Sequence, residues 1–284
     1  MKLTLKSIGS SDPLSNYLKK FGKLRKSLLL EIDPAKQLFT AKSFSEDHSV
    51  VRSASLPFAS ANYELTYSDA IPENKRIKLG IIVTLDKFIK ILDRFDTDYV
   101  MSFDFDVLNL DNGDADYVCQ TITFSSKTLQ MRLAGSKVSE FEYLPDDVFN
   151  NKIFYLSDYS TIAVDSLTLQ NIIKTSDIVA IDPKNDSLIF YTDNNCLYVK
   201  DNVGKHDNGK DKESNFNYLI SDNVFTSFPI RLPISREKFV QVISGVDDNI
   251  NIMIGKDING DLTRILFDSI NSDMKIVISA VNED

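Results

Sequence analysis

Few residues in this sequence are of the types that perform catalysis or bind a metal ion. There are two histidines, His48 and His206, two cysteines, Cys119 and Cys196, and no tryptophan. The cysteines lie far apart, each in an apolar run typical of a strand, which disfavours a disulfide or a thiolate metal site. So few imidazoles also disfavour zinc sites and Ser-His-Asp triads. We expect no metal, no cofactor and no catalytic residue, although catalysis by carboxylates alone stays open.

Carboxylates are the next residues whose clustering suggests metal chemistry. Five aspartates lie between residues 104 and 116. They lack the alternating ligands and the distal glutamate of an EF-hand loop, so a solvated hairpin is the better interpretation. The acidic stretch at residues 257–261 contains Asn259-Gly260, a pair typical of a hairpin turn. Neither stretch predicts a metal site, and the sequence also lacks a glycine-rich phosphate loop and a nucleophile elbow.

Basic residues recur on the outer faces of four predicted helices. At about 100° per residue, Lys87, Lys90 and Arg94 lie opposite the apolar stripe that begins at Leu85. For an isolated helix, such cations are best interpreted as a solvated face that complements the helix C-terminus. Their recurrence in a chain of net charge −9 favours a surface that faces phosphates. The candidate contacts are Lys19, Lys20, Lys23, Lys26, Lys87, Lys90, Arg94, Lys174 and Lys238.

Internal repeats indicate the elements that position these cations. Residues 79–103 and 229–254 share a strand, short helix, strand pattern. The match continues downstream, where Phe124 and Phe267 are each followed seven residues later by a methionine, Met131 and Met274. Residues 18–44 and 167–191 form a second pair, each with a helix, a strand, an Asp-Pro turn and another strand; the first strand of the later copy is predicted at residues 178–181.

The repeats predict an α+β fold of two domains, each with two short helices packed on antiparallel sheets. A length of 284 residues fits two domains, and 43% hydrophobic content is typical of globular proteins. We place the domains at residues 1–135 and 158–284, joined by a connector at residues 136–157. The first helix is expected to have Asp12 as its N-cap, and the polar residues 201–215 are predicted to form a mobile loop.

The connector is richer in aromatic residues than a bare linker requires, and we expect it to lie against a surface beside the last strand, residues 276–281. Two interpretations have equal weight: these side chains pin the connector to the domains, or they line a groove for a partner peptide. The residues concerned are Phe141, Tyr143, Leu144, Val148, Phe149 and Val281.

Charge and hydropathy limit the class of protein. A pI near 4.9 disfavours a simple basic protein that coats nucleic acid. The N-terminal residues lack the apolar region of a signal peptide, and no apolar run reaches the ~18 residues of a membrane span. We therefore expect a soluble intracellular protein.

Over nearly its whole length, the sequence resembles the sliding DNA clamps, in particular the two-domain type of the T-even phages, and more distantly proliferating cell nuclear antigen. The resemblance rests on the fourfold repeat, on Leu18-Lys19-Lys20-Phe21, on Val83-Thr84-Leu85-Asp86-Lys87-Phe88 and on the connector. The polar segment at residues 201–215 and the acidic hairpin are longer than in the compact phage pattern.

The resemblance implies a non-enzymatic ring that encircles double-stranded DNA without reading its sequence and tethers a replicative DNA polymerase. It further implies a homotrimer, an ATP-driven clamp loader as a partner, no membrane association, and the cytoplasm of an infected bacterial host. Ring closure is expected between residues 127–134 of one protomer and residues 216–221 of the next. The expected interface residues are Leu129, Met131, Leu133, Phe216, Tyr218 and Ile220.

Two alternatives remain from the sequence alone. One is a nucleic-acid-binding or virion accessory protein with duplicated α+β domains that forms no ring. The other is an enzyme whose site uses carboxylates. The oligomeric state separates the ring from the first alternative, and the scarcity of histidine disfavours the second.

Overall fold

The structure is a computed structural model. The residues it describes are all except 23, 25–27, 82–84, 96, 137–145, 181–185, 203–214, 225–227, 244–245, 247–248, 261–262, 271 and 281–284. The chain divides into two units: unit 1 is Met1–Ser43 with Ser53–Tyr143, and unit 2 is Phe44–Arg52 with Leu144–Asp284. The division near residue 143 falls within the predicted connector, whereas the assignment of Phe44–Arg52 to unit 2 was not predicted from the sequence.

Unit 1 contains a mixed sheet and two short helices. The order of its strands is β4-β3-β2-β6-β8-β7-β1-β5, with β9 also paired to β8, and the β6–β8 pair is parallel. The elements are β1 (Lys2–Ser7), α1 (Asp12–Lys19), β2 (Leu28–Asp33), β3 (Leu38–Phe44), β4 (Val50–Pro57), β5 (Tyr63–Ser68), β6 (Ile77–Ile81), α2 (Leu85–Leu92), β7 (Val100–Asn109), β8 (Ala115–Ser125) and β9 (Gln130–Ala134).

Unit 2 contains strands in the orders β10-β15-β16-β17 and β13-β12-β11-β14. The first residues of β4 also belong to this unit, where the Ser279 N–H donates to the Ser49 carbonyl at 2.9 Å. The elements are α3 (Asp146–Val148) with the π-helical turn Phe149–Ile153, β10 (Ser157–Val164), α4 (Ser166–Val179), β11 (Ser187–Asp193), β12 (Cys196–Asp201), β13 (Asn217–Ser221), β14 (Arg231–Ser235), α5 (Arg236–Ile243), β15 (Ile250–Lys256), β16 (Thr263–Ser269) and β17 (Asp273–Ser279).

Aromatic packing holds the eight-residue helices on their sheets. Isolated helices shorter than ~12–15 residues are marginal in water, so α2 and α5 depend on burial of one face. Phe88 of α2 packs against Phe124 of β8 with ring centroids 5.7 Å apart. Phe239 of α5 packs against Phe267 of β16 at 6.2 Å. Burial of each phenylalanine side chain stabilises the folded state by about 1.5–3 kcal/mol. This burial compensates for the low intrinsic stability of such a short helix.

These two contacts confirm the repeat that the sequence indicated. The pairs Phe88–Phe124 and Phe239–Phe267 join equivalent positions of the two copies, and each helix follows one strand and precedes another. The α+β fold is therefore confirmed, with α1 and α2 in unit 1 and with α4 and α5 as their counterparts in unit 2. The two hairpins are confirmed as well: Gly113 turns between β7 and β8 with φ of 80°, and Gly260 turns between β15 and β16 with φ of 76°, a conformation that favours glycine.

Three local predictions differ from the structure. The strand predicted at residues 178–181 is wrong for its three described residues, because α4 continues to Val179 and Ala180 is its C-cap. The first helix begins at Asp12, so its N-cap is Ser11, one residue earlier than expected. The connector contains a helical segment, α3 and the turn that follows it, which its turn-forming composition did not predict. Of the loop predicted at residues 201–215, residues 203–214 lie outside the described residues, and Asp201 is the last residue of β12.

A buried cluster of charges crosses the sheet of unit 1. Glu31 on β2 is almost fully buried, and its Oε2 lies 3.2 Å from Lys42 Nζ and 3.0 Å from Arg76 Nη1. Arg76 also contacts the buried Asp33, with Nε 3.6 Å from Oδ2. Burying these charges is unfavourable unless they are paired, so the carboxylate of Glu31 is needed to compensate two cations at once.

We predict that Glu31→Gln destabilises unit 1 by about 3–5 kcal/mol, since the substitution leaves two cations without their shared carboxylate. Urea unfolding measures this as a lower transition midpoint. Asp106→Asn removes the same charge from an exposed position on β7 and is the control, with an expected change within about 0.5 kcal/mol. Equal midpoints for the two variants would contradict the prediction.

Candidate nucleic-acid interface

The outward face of α2 carries three cations that point away from the core. Leu85, Phe88 and Leu92 are buried. On the opposite side, Lys87 and Lys90 are exposed, as is Arg94 just beyond the helix. Within the described part of the chain, none of these three cations forms an ion pair. The predicted amphipathic arrangement therefore places three available positive charges on one exposed surface.

Helix α1, which packs against α2, adds a weaker positive contribution. Lys19 is exposed, and its Nζ lies 3.8 Å from Asp93 Oδ1, whose other partner is the Ser15 hydroxyl at 2.8 Å. Both charged groups are about half exposed, so the pair stabilises the fold by about 1 kcal/mol or less and leaves Lys19 accessible. Lys20 is half-buried, while Lys23 and Lys26 lie outside the described residues.

In unit 2, α4 presents one cation between apolar side chains. Lys174 is exposed, and Leu167 and Ile178 lie about 20° and about 40° from it on the same helix face. Ile178 is 83% exposed. The Asp165 carboxylate caps this helix by accepting from the Thr168 N–H at 2.6 Å, which fixes where the helix begins. The face of α4 is therefore much less cationic than that of α2.

The remaining predicted contact, Lys238 on α5, is engaged in an ion pair. Its Nζ lies 3.2 Å from Oδ1 of Asp47, and the lysine side chain is only 19% exposed. No sequence pattern predicted this pair, because its partners are 191 residues apart and belong to different halves of the sequence. The cations of the four helices are thus unequal: those of α2 are exposed and unpaired within the described residues, whereas the predicted contact on α5 is paired.

Both segments expected to close a ring lie at sheet edges within the described residues. Strand β9 pairs only with β8, and β13 pairs only with β12. An edge strand presents unsatisfied N–H and C=O groups that pair with another strand. This geometry is suited to the expected interface, which stays a prediction.

The side chains at these edges differ in part from those expected. Leu133 and Phe216 are each 9% exposed and pack in their own units, so they offer little area to a partner. Met131, Tyr218 and Ile220 are half-buried, and Leu129 is exposed. The interface residues predicted from the sequence do not include Leu219, which is 47% exposed and lies opposite Tyr198 in the neighbouring strand. Alternation defines two faces of a strand, but both faces of β13 carry apolar residues, so the pattern did not show which one is exposed.

The predicted partner groove is described only in part. Phe149 is buried against Phe44 and Val51 in unit 2, with Phe154 at a ring-centroid distance of 5.8 Å, so its side chain anchors the segment. Val148 is half-buried. For Phe149, the structure therefore supports the pinning interpretation over a surface for a peptide. The other four residues, Phe141, Tyr143, Leu144 and Val281, lie outside the described residues.

The described residues offer little to a metal ion or a covalent reaction. No group of three or more His, Cys, Asp or Glu side chains within them is placed to hold a metal ion. Burial raises the pKa of Cys119 to about 12, which makes this thiol unreactive near neutral pH. A cavity of about 270 Å³ in unit 2 is bordered by Arg236. The guanidinium of Arg236 donates a hydrogen bond to the Ser176 hydroxyl and forms an ion pair with Asp177. No membrane-spanning candidate is found among the described helices, the longest of which, α4, has 14 residues.

Comparison with solved structures shows that this chain has the sliding-clamp fold. Over the full length of both chains, it is similar to PCNA from A. fulgidus bound to the C-terminal region of FEN-1, with 11% identity and a TM-score of 0.61. The PCNA2-PCNA3 complex of Sulfolobus tokodaii matches over 99% of both chains, with 12% identity and a TM-score of 0.57.

Bacterial beta clamps share the fold but are longer. The Helicobacter pylori beta clamp bound to a DNA ligase peptide matches 98% of this chain at 9% identity, with a TM-score of 0.63. This chain spans about two thirds of the length of that clamp, because the match covers 66% of it. No protein-family model matches the sequence, and no curated protein is significantly similar to it.

We predict that replacing Lys87, Lys90 and Arg94 together by glutamate weakens association with a 30-base-pair duplex without unfolding the protein, since all three are exposed. If each cation neutralises one phosphate, the slope of log Kobs against log[NaCl] becomes less steep by up to about 2.7, because each contact contributes about 0.9. Fluorescence anisotropy over a salt series measures the slope.

The matched control changes Lys2, Lys6 and Lys36 to glutamate, three exposed lysines outside the helices. This variant makes the same change in net charge and is expected to keep most of the slope. An equal loss in both triple variants would show an effect of net charge alone and would contradict the assignment of the α2 face.

Proposed function

We propose that this protein is a sliding clamp, a homotrimeric ring that encircles double-stranded DNA and tethers a replicative DNA polymerase for processive synthesis. The observation that carries the proposal is the match of the whole chain to clamp structures over their full length. The exposed cations of α2 and the two open sheet edges support it, since a ring on DNA needs both features.

The proposed contact with DNA is electrostatic and independent of sequence. Three protomers of net charge −9 carry −27 in total, so the ring as a whole repels DNA. Only a cationic inner surface compensates this repulsion, and Lys87, Lys90 and Arg94 are its best candidates. Lysine and arginine contacts to phosphates fix no base sequence, which suits a protein that moves along the duplex.

Ring closure is proposed to occur by addition of β9 of one protomer to β13 of the next. The two edges belong to different units, so their pairing is head to tail and repeats until the ring closes. The backbone ladder would supply the hydrogen bonds, and Leu129, Met131, Tyr218, Leu219 and Ile220 would cover the new pair of strands.

The proposed partners are the polymerase and an ATP-driven loader that opens the ring. PCNA of A. fulgidus and the H. pylori beta clamp are bound to a C-terminal region and to a peptide, respectively. By analogy, we propose that a short apolar segment of the partner docks near the connector, with Tyr143 and Leu144 as contacts. Phage origin and an infected bacterial host stay predictions from the sequence.

Tethering a polymerase requires no chemical reaction by the clamp. A polymerase bound to a ring around its own template rebinds the primer end as an intramolecular event, at an effective concentration of about millimolar for a short connection. We therefore propose that the protein acts without catalysis and without a cofactor.

We predict that the protein has three times its chain mass of 32.1 kDa in light scattering coupled to size exclusion and forms rings in electron micrographs. Leu219→Asp places a charge at the β13 edge and is expected to shift the mass toward the monomer. Leu108→Asp is the matched control, because Leu108 is exposed on β7 away from the proposed interface. A wild-type monomer at micromolar concentration without rings would reject the proposed function, whereas a dimer would reject only the stoichiometry.

We further predict that a C-terminal peptide of the polymerase or loader binds the wild-type trimer and binds the Tyr143→Ala, Leu144→Ala double variant at least about tenfold more weakly, the equivalent of about 1.4 kcal/mol. Calorimetric titration measures both affinities, and light scattering confirms that the variant is still a trimer. Unchanged affinity would place the peptide site elsewhere on the protein.

A further inference from the structure

Lys87 and Lys238 occupy equivalent positions in the internal repeat but have different surroundings. The segments Asp86-Lys87-Phe88 and Glu237-Lys238-Phe239 align, and each phenylalanine packs on its own sheet. Lys87 is exposed and forms no ion pair with any described residue. Lys238 is mostly covered and lies against the Asp47 carboxylate, with Nζ and Oδ1 3.2 Å apart.

Hydrogen bonds from neighbouring residues orient the carboxylate of Asp47 independently of Lys238. Its Oδ1 accepts hydrogen bonds from the Ser45 hydroxyl at 2.5 Å, the Ser49 hydroxyl at 2.8 Å and the Ser49 N–H at 3.2 Å. Burial opposes the charged form, but these hydrogen bonds and Lys238 together lower the pKa of Asp47 below its usual range. The carboxylate is therefore ionised and oriented at physiological pH.

The segment that carries Asp47 is itself fastened to α5. Arg52 is fully buried, and its Nη2 donates to the Val242 carbonyl at 2.8 Å, within the last turn of that helix. A cation at a helix C-terminus is favourable because the exposed carbonyls carry partial negative charge. Residues 44–52 thus contact α5 at both Lys238 and Val242, so the backbone that carries Asp47 is anchored beside the helix.

The ion pair removes the positive charge of α5 from the proposed DNA surface. Glu237 is exposed on the same helix, and Asp47 keeps 55% of its side chain exposed, so no net positive charge remains there. The pair of Lys19 with Asp93 is looser, at 3.8 Å with both groups about half exposed. A phosphate that approaches Lys238 must compete with an oriented carboxylate already in contact.

We propose that Asp47 is a positioning residue that withholds Lys238 from DNA, so that the cations of unit 1 provide most of the sliding contact. The proposal rests on the proposed function, because it assumes that the outward helix faces meet a duplex. In this view, the aspartate keeps the contact weak on one side of each protomer. A clamp that must move along DNA benefits from fewer phosphate contacts.

The test is the salt dependence of association with a 30-base-pair duplex, measured by fluorescence anisotropy on the intact protein. Asp47→Asn is expected to release Lys238, which makes the slope of log Kobs against log[NaCl] steeper by about 0.9, the contribution of one phosphate contact. Asp106→Asn makes the same charge change on an exposed strand position and is expected to leave the slope unchanged. Asp47→Glu keeps the carboxylate and is expected to have the same slope as the wild-type protein.

A double-mutant cycle with Lys238→Gln separates this role from a structural one. Lys238→Gln alone is expected to leave the slope unchanged, and Asp47→Asn added to it is expected to have no further effect. A second measurement is the rate at which an amine-acylating reagent modifies Lys238, read by mass spectrometry, which Asp47→Asn should increase.

Three outcomes would overturn the proposal. In the first, Asp47→Asn changes the slope no more than Asp106→Asn does. In the second, its effect persists in the Lys238→Gln background, and in the third the acylation rate of Lys238 does not change. Each of these leaves the clamp function standing when the wild-type protein associates with DNA. A wild-type protein without salt-dependent DNA association would instead reject the proposed function, and this proposal with it.

Discussion

The structure depends on burying one face of each short helix against a sheet. Helices of eight residues do not persist in water on their own, and the ring contacts of Phe88 and Phe239 supply the missing stability. Once the phenylalanine side is fixed inward, the geometry of the helix decides which residues face outward. The exposure of Lys87, Lys90 and Arg94 follows from the position of Phe88, so core packing and the candidate interface have the same physical origin.

The repeat conserves the core positions within one chain but not the surface charges. Phe124 and Phe267 occupy equivalent strand positions, yet α2 carries three exposed cations and α5 carries a paired lysine beside an exposed glutamate. A buried aromatic position tolerates few alternatives, because a smaller side chain leaves a cavity. An exposed position tolerates many, so electrostatic character diverges while the fold stays the same.

The sequence predicted those features that depend on neighbours along the chain. The short helices, the hairpins at Gly113 and Gly260 and the repeat of residues 79–103 in residues 229–254 are local patterns of apolar and turn residues, and the structure contains them. Pairings between distant residues were not predictable: Asp47 with Lys238, and Arg52 with Val242, join segments about 190 residues apart.

The end of α4 at Val179 was also missed, because the apolar residues there fit a strand as well as the last turn of a helix. Burial at an edge strand, as for Leu133 and Phe216, depends on which face meets the core, and the alternating pattern does not specify that face.

The assignment of residues 44–52 to unit 2 determines the order in which the chain is able to fold during synthesis. These residues leave the ribosome early, but the carbonyl that Arg52 binds belongs to a helix made 190 residues later. Until that helix emerges, the arginine and its neighbours have no native site, and nascent chains of intermediate length expose them to other proteins in the cell. A fragment that begins at residue 144 likewise lacks part of its own unit, so the two halves of this sequence are not interchangeable modules even though they share a repeated pattern.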